Sequence, residues 1–265
     1  MMKTTTLSLR KLKESNGKFS CVTAYDATFA KLASDAGIDV LLVGDSLGMV
    51  LQGQDSTLPV SIDDMVYHTQ CVSRGAQSPL IMADMPFNTL NSPHDTLNYG
   101  GQLMQAGAHI IKLEGGEWLA EYIEALSDRG IPVCAHLGLT PQSVNKLGGY
   151  RVQGKEAEKA NAMINTARAL EEAGADMILL ECVPTSLAEL ITKKVSVPVI
   201  GIGAGNVTDG QVLVMHDLLG ITSGHKPKFV KNFMQGAGSV QQAFEHYDQA
   251  VKSGEFPSAD YSFAG

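Results

Sequence analysis

Short apolar runs alternate with amphipathic stretches along most of the chain. The runs lack the helical period of about 3.6 residues, and Gly, Pro or Asp flanks most of them, which is typical of buried β-strands. They span 19–26, 39–45, 79–85, 109–115, 132–138, 176–182, 198–205 and, less clearly, 211–217. The helix-like stretches between them span 28–37, 62–76, 94–108, 117–130 and 159–175. Several of these stretches end in glycine, which commonly closes a helix.

Strands that are apolar along their whole length, rather than alternating, favour a parallel sheet covered by helices. The strings "SDAGIDVLL", "MQAGAHIIK" and "EEAGADMIL" each combine a helix end, a glycine turn and a strand. Eight such units in 265 residues predict a closed (β/α)8 TIM barrel. We expect residues 1–265 to form one domain with a short N-terminal lead-in and a C-terminal helix and tail. A doubly wound open sheet is the alternative, because strand order cannot be derived from one sequence.

The charge balance argues against a nucleic-acid partner. Lys and Arg number 20 against 28 Asp and Glu, a formal net charge of -8, which repels polyphosphate chains. The four cysteines lack metal-site spacing and indicate a reducing cytosol. No segment approaches the roughly 18 apolar residues of a membrane span, and the first residues do not resemble a signal peptide. We therefore expect a soluble cytoplasmic protein with no membrane partner.

Titratable side chains lie at the ends of five successive predicted strands. They are Asp45, Asp84, Lys112, Glu114, His136 and Glu181. The carboxyl ends of barrel strands meet at one mouth, where the catalytic groups of such barrels lie. Lys112 and Glu114 are two residues apart, so strand alternation directs both to the same side. Each carboxylate could instead cap a helix or pair with a lysine, but five successive strand ends are hard to explain in that way.

Several carboxylates in a partly dry site repel one another, and a cation would neutralise them. Oxygen donors without a Cys and His pattern favour a hard ion such as Mg²⁺, held by one or two carboxylates and completed by water and substrate oxygens. The sequence therefore predicts a magnesium site at the mouth of the barrel.

Other polar features are less specific. The string "GIGAGN" at 201–206 resembles a phosphate-binding loop, but it lacks the G-x-G-x-x-G register, so we interpret it as a tight turn. His68 and His216 are interpreted as structural. A small basic cluster is either a solvated face or a contact for an anionic substrate tail. It comprises His225, Lys226, Lys228 and Lys231.

Two connections, 46–61 and 139–155, are longer than the usual two to six residues of a βα loop. Mobile lids of this kind exclude water from reactive intermediates. We predict that both connections are lids over the site.

Six strings of the sequence resemble one known family. They are "TAYDATFAKL", "LLVGDSLGMVLQGQDSTLPV", "KLEGGEW", "AHLGLTPQSVN", "LLECVP" and "PVIGIGAGNVTDGQVLVMHD". They closely resemble the ketopantoate hydroxymethyltransferase family, and the likeness runs from about Thr5 to about Phe263. The resemblance implies a barrel of the phosphoenolpyruvate mutase and isocitrate lyase superfamily, assembled as a homo-oligomer, typically a decamer. It also implies transfer of a one-carbon unit from 5,10-methylenetetrahydrofolate to 3-methyl-2-oxobutanoate, giving 2-dehydropantoate, with Mg²⁺ bound.

The resemblance also implies roles for the matching residues. It makes Asp45 and Asp84 magnesium ligands that also contact the substrate, with Glu114 bound to the metal or to its waters. These assignments agree with the magnesium site predicted from the strand ends. The same match gives the remaining positions to the oxo acid and its proton chemistry. Ser46 is expected beside the substrate carboxylate, with Lys112 as its anchor, His136 near the substrate oxygens and Glu181 as the proton acceptor.

Three other functions stay open at this point. One is a magnesium-dependent carbon-carbon lyase acting on another 2-oxo acid, although the K-K-C-G-H string of the isocitrate type is missing. A second is a Schiff-base aldolase using Lys112, which would need a neutral amine beside Glu114. The third is a barrel that only binds a metabolite.

Overall fold

The apolar runs form a closed parallel barrel in the computed structural model, which describes residues 3–222, 224 and 226–264. The strands are β1 Phe19–Thr23, β2 Val40–Val43, β3 Leu80–Asp84, β4 Ile110–Glu114, β5 Val133–Gly138, β6 Met177–Glu181, β7 Val199–Ile202 and β8 Gly210–Leu213. Each strand pairs in parallel with the next, and β8 closes onto β1 with Phe19 opposite Gly210. The predicted barrel is confirmed, and the open doubly wound sheet is excluded.

Helices cover the barrel and follow every strand except β7, which leads to β8 without a helix between them, while α1 precedes β1. They are α1 Thr6–Glu14, α2 Ala27–Asp35, α3 Leu47–Val50, α4 Ile62–Gly75, α5 Pro93–Ala106, α6 Ala120–Ser127, α7 Val144–Leu147, α8 Ala157–Glu172, α9 Thr185–Lys194, α10 Met215–Leu218 and α11 Val240–Lys252. Short 3-10 turns lie at Glu117–Leu119, Pro141–Ser143 and Ala259–Tyr261. All five predicted helical segments are confirmed, whereas α1, α3, α7, α9 and α10 were not predicted.

The strands are buried on both faces, which explains their apolar composition. Every residue of β1, β2, β3 and β4 is buried, because side chains fill the barrel on one face and pack against the helices on the other. Ile111 and Leu113 are fully buried beneath the helices. The polar residues that alternate with them in β4 therefore lie on the barrel side.

The last predicted strand is wrong at its carboxyl end. The prediction placed 211–217 in one strand, but β8 ends at Leu213 and α10 begins at Met215. The Met215 N–H donates to Thr23 Oγ1 at the end of β1 at 2.8 Å, and this bond replaces a sheet hydrogen bond for that residue. Apolar composition alone does not distinguish a short buried helix from a strand.

The glycine-rich string forms the end of β7 and the tight turn after it, as predicted. Gly203 and Gly205 have φ of 61° and 78°, in the left-handed region that glycine tolerates best. The Gln211 side chain donates to the Gly205 carbonyl at 2.9 Å and closes the turn. The string leads directly into β8 instead of opening a helix, so it lacks the geometry of a dinucleotide-binding loop.

Helix α11 secures the seam between the first and last strands. The Tyr247 hydroxyl lies 2.9 Å from the carbonyl oxygens of Cys21 in β1 and Gln211 in β8. Ser20 donates to Asp248 at 2.5 Å on the same helix. The cysteines are all free thiols. Within the described ranges, no helix has the length and apolar character needed to cross a membrane.

Candidate active site

A cavity of about 1060 Å³ opens at the carboxyl ends of the strands. All the residues assigned to the site from the sequence line it, namely Asp45, Ser46, Asp84, Lys112, Glu114, His136 and Glu181. Strand register brings them together, since Asp84 is opposite Lys112 and Glu114 is opposite His136. The predicted convergence is therefore present in the folded chain.

Asp45 and Asp84 form a buried pair of carboxylates. Asp45 lies two residues beyond β2, and its backbone N–H donates to Asp84 Oδ2 at 3.0 Å. Each residue is only 3% exposed. Burial, followed by repulsion from Asp84, raises the pKa of Asp45 well above its ordinary value. Burial also raises the pKa of Asp84, although Lys112 opposes that rise. This pair therefore favours a bound cation.

Lys112 provides a buried positive charge beside the pair. Its Nζ lies 2.9 Å from Asp84 Oδ1 and 3.5 Å from Glu114 Oε1. Burial alone would lower the pKa of Lys112, but the neighbouring carboxylates raise it above its ordinary value. The side chain is therefore a stable ammonium, which argues against a Schiff-base mechanism requiring a neutral amine.

His136 links two carboxylates of different exposure. Its Nδ1 lies 3.3 Å from Glu114 Oε1, and its Nε2 lies 3.4 Å from Glu181 Oε2. Burial and Lys112 would lower the pKa of His136, but Glu114 and Glu181 raise it to about 9. Despite burial, Lys112 and His136 lower the pKa of Glu114 to about 2. With that pKa the His136 ring is an imidazolium at neutral pH, and Lys112 Nζ also lies 3.3 Å from its Nδ1.

Glu181 is more accessible than the acidic side chains beside Lys112. Its side chain is 15% exposed, against 3% for that of Glu114. The residue after it, Cys182, has φ of 48°, an uncommon conformation outside glycine. The Cys182 N–H donates to the Ile202 carbonyl at 2.9 Å, and its own carbonyl accepts from Gln153 N–H at 2.8 Å. The chain thus turns sharply after β6, and Glu181 stays at the cavity wall.

The donor set fits a magnesium ion held by two carboxylates. Within the described part of the chain, Asp84 Oδ1 is buried and has no well-aligned hydrogen-bond donor, despite its short distance to Lys112. Both oxygens of Glu114 are engaged, one by Lys112 and His136 and the other by the Gln142 N–H at 3.1 Å. The same residues offer no cluster of three or more His, Cys, Asp or Glu placed around one ion. Two carboxylate ligands with water and substrate oxygens are the usual protein environment of Mg²⁺.

Two polar residues of the site were missed in the sequence. Gln142 donates from its side chain to Asp45 Oδ2 at 2.8 Å and to the Met85 carbonyl at 2.9 Å. Tyr25 is 1% exposed, and its hydroxyl lies 3.0 Å from Ser46 Oγ. In the sequence, Gln142 stands in the string "LTPQS" within a long connection, which is the one feature that pointed to the site. No local pattern indicated its hydrogen-bond partners.

The two long connections meet above the cavity. Both contribute lining residues, and the Tyr150 hydroxyl lies 3.7 Å from Met49 Sδ across the gap between them. Their position suits the predicted lids, and their motion stays a prediction. His68 is structural, since its Nδ1 lies 2.7 Å from the Tyr25 carbonyl. His216, in contrast, lines the cavity.

The basic cluster is only partly a solvated face. Lys226 and Lys228 line the cavity, whereas Lys231 lies over the Phe233 ring. Lys228 also donates to the Ser262 carbonyl at 2.6 Å. His225 lies outside the described residues.

The mouth of the parallel barrel holds buried carboxylates, an ammonium and an imidazolium. This fold and site define the class of protein, which is a (β/α)8-barrel enzyme that uses acid-base chemistry. The ketopantoate hydroxymethyltransferase family profile matches residues 3–259. The chain is 60% identical over 262 residues to 3-methyl-2-oxobutanoate hydroxymethyltransferase 2 of Hahella chejuensis and 59% identical over 262 residues to 3-methyl-2-oxobutanoate hydroxymethyltransferase of Marinobacter nauticus. Each alignment covers 99% of both chains. The chain belongs to the ketopantoate hydroxymethyltransferase family and is a transferase.

Solved structures of low sequence identity share the barrel. A phosphonopyruvate hydrolase in complex with oxalate and Mg²⁺ matches with a TM-score of 0.61 at 18% identity, over 80% of each chain. A 2,3-dimethylmalate lyase of the phosphoenolpyruvate mutase and isocitrate lyase superfamily matches with a TM-score of 0.58 at 20% identity, over 80% of this chain and 81% of the lyase. These structures share the barrel fold of the chain, while family membership decides against the lyase and the non-catalytic alternatives.

Proposed function

We propose that the protein transfers a hydroxymethyl group from 5,10-methylenetetrahydrofolate to 3-methyl-2-oxobutanoate, giving 2-dehydropantoate in pantothenate biosynthesis. The names of the close relatives support the oxo acid. One feature of the site carries the proposal. The buried carboxylate pair of Asp45 and Asp84 lies beside the Lys112 ammonium. Glu181 lies in the same cavity on the far side of His136.

We assign the 2-oxo acid to the inner end of the cavity. Asp45 and Asp84 would hold Mg²⁺, with Glu114 fixed beside them by Lys112, His136 and the Gln142 N–H. When bound, Mg²⁺ supplies Lewis-acid polarisation of the oxo group. In this proposal the Lys112 ammonium pairs with the substrate carboxylate, and the Ser46 hydroxyl, held by Tyr25, donates to it.

Glu181 is the proposed general base. Its accessible carboxylate removes the proton from C3 of the oxo acid, and the resulting enolate attacks the one-carbon unit. The new C–C bond to the methylene carbon forms as one of its two C–N bonds breaks, and water replaces the other nitrogen to give the hydroxyl group. The proton taken from C3 and one proton of the water pass to the two folate nitrogens, so tetrahydrofolate leaves. The imidazolium of His136 lies between Glu114 and Glu181 and can donate to negative charge that develops on the substrate oxygens.

The outer part of the cavity is the proposed folate position. A volume of about 1060 Å³ lies at the upper end of pockets for drug-sized ligands, and a small oxo acid fills only part of it. Ile221, Phe229 and Phe263 offer apolar surface there for an aromatic ring system. Lys226 and Lys228 lie at the same end and suit the carboxylates of a glutamate tail.

Exchange of the C3 hydrogen with deuterium tests the proposal. Proton NMR in heavy water, with Mg²⁺ and 3-methyl-2-oxobutanoate but no folate, should show exchange by the wild-type protein. Glu181→Gln should slow the exchange by about 10² to 10⁴ while the oxo acid still binds, because the variant keeps the shape but loses the base. Glu189→Gln, at an exposed position of α9 that pairs with Lys193, is the control.

The outcomes separate the parts of the proposal. Exchange at the normal rate in Glu181→Gln would remove this residue from the role of base. No exchange in the wild-type protein would contradict the enolate mechanism itself. The homo-oligomer, expected to be a decamer, and the cytoplasmic location stay predictions.

A further inference from the structure

Gln142 occupies a central place among the acidic groups of the site, although neither the sequence motifs nor the proposed mechanism gives its side chain a role. It lies in the 3-10 turn Pro141–Ser143, just after β5. Its backbone N–H donates to Glu114 Oε2 at 3.1 Å, and its side chain reaches Asp45 Oδ2 at 2.8 Å. Gln142 therefore links the loop after β5 to acidic groups at the ends of β2 and β4.

The orientation of the Gln142 amide is fixed by its partners. Nε2 lies 2.8 Å from a carboxylate oxygen of Asp45 and 2.9 Å from the Met85 carbonyl oxygen. Both partners are acceptors only, so they require the NH₂ end of the amide, and a flipped amide would place its oxygen against both. Both hydrogens of the NH₂ group are then used. Met85 directly follows Asp84, which ties the end of β3 into the same network.

Each carboxylate of the pair has one oxygen held by a donor. Asp45 Oδ2 accepts from Gln142, and Asp84 Oδ2 accepts from the backbone N–H of Asp45. Asp45 Oδ1 has no hydrogen bond from the described residues, and Asp84 Oδ1 has only the Lys112 ammonium, 2.9 Å away, beside it. This arrangement suits two ligands that each give a single oxygen to one cation. A neutral amide achieves it without adding charge to an acidic site.

We propose that Gln142 is a positioning residue, which orients the Asp45 carboxylate so that it offers one oxygen to a divalent cation. The inference rests on the proposed function, because it takes Asp45 as a metal ligand. Partners that orient metal ligands commonly contribute 10-fold to 100-fold to metal affinity or activity. Gln142 itself touches neither the reacting atoms nor the cation in this scheme.

Calorimetric titration with Mg²⁺ alone tests the inference in the full-length protein. Gln142→Met keeps the length of the side chain and the backbone N–H to Glu114 but removes both side-chain donors. We expect its Mg²⁺ dissociation constant to rise about 10-fold to 100-fold. Gln142→Asn keeps the donors on a shorter stem and should fall between Gln142→Met and the wild type. The control is Gln153→Met, in the same connection, which should bind Mg²⁺ as the wild type does. Among the described residues, the side-chain amide of Gln153 donates only to the Arg151 carbonyl, at 3.0 Å.

A second measurement separates positioning from a structural role. In Gln142→Met, C3 exchange should need a correspondingly higher Mg²⁺ concentration and should recover toward the wild-type rate when Mg²⁺ saturates. A lower melting temperature with unchanged Mg²⁺ affinity would overturn the inference, as would identical affinities in Gln142→Met and Gln153→Met. If Gln142→Met does not fold, Gln142→Asn decides by the same criterion: weaker Mg²⁺ binding supports the inference, and wild-type binding overturns it. If the wild-type protein binds no Mg²⁺, the metal part of the proposed function fails, and this inference fails with it.

Discussion

Replacing Lys112 by methionine should strongly destabilise the metal-free protein, because it leaves buried carboxylates without their cation. The Nζ atom lies 2.9 Å from Asp84 Oδ1 and 3.5 Å from Glu114 Oε1, and the three side chains are 3–4% exposed. With an effective dielectric constant of ~20, these distances correspond to attractions of ~6 and ~5 kcal/mol. The desolvation of the buried ammonium offsets much of that attraction. Removing one partner of a buried pair typically lowers the free energy of unfolding by about 3–5 kcal/mol.

Urea denaturation with a chelator present measures the loss, with Lys31→Met as the control. Lys31 pairs with Asp35 at 2.6 Å on the surface, with side chains 54% and 40% exposed, and such pairs contribute about 0–1 kcal/mol. The loss in Lys112→Met should shrink from pH 8 to pH 5, because the pKa values of Asp45 and Asp84 lie above their ordinary range and protonation removes the unpaired charge. Added Mg²⁺ should restore part of the stability. A loss equal to that of Lys31→Met, or one independent of pH, would refute the reasoning.

Two further predictions concern packing and pH. Gly75→Ala should lower the free energy of unfolding by about 1–3 kcal/mol, because the added Cβ would overlap the backbone of α2. The control Gly101→Ala has open space around the added Cβ and should be neutral or stabilising. Thermal melts compare the two variants. The pKa of His136 is raised to about 9, so its stabilising contribution is complete below about 6.5 and is lost as pH rises through 9, by about 3 kcal/mol at most. Urea midpoints of the metal-free protein should fall between pH 7 and 9.5, and His136→Asn should lack that fall. A parallel fall in His136→Asn would assign the pH dependence to another group.

Much of the fold followed from local pattern. The apolar runs located all the strands, because a strand buried on both faces must be apolar throughout. The exception at 211–217 has the same origin, since a short buried helix such as α10 is equally apolar. Helix α9 was missed because its segment 185–194 follows β6 closely and its polar residues obscured the period.

The sequence also predicted which titratable groups form the site, but it did not predict their hydrogen-bond partners. The ends of parallel strands must meet, so Asp84, Glu114 and Glu181, as the last residues of their strands, were predictably close. The hydrogen bond from Gln142 to Asp45 joins residues 97 apart in sequence, and the one between the Tyr25 and Ser46 hydroxyls joins residues 21 apart. No local pattern reports such contacts.

The sequence by itself determined which segments are buried and which titratable groups stand at their ends, because burial and backbone preference are local properties of a segment. Only the tertiary structure decided that β8 closes onto β1 and which oxygen of Asp45 is already held by a donor. It also decided that His136 lies between Glu114 and Glu181. These features depend on the closure of the whole barrel, where separations of a few ångströms fix charge and hydrogen bonding between distant parts of the chain.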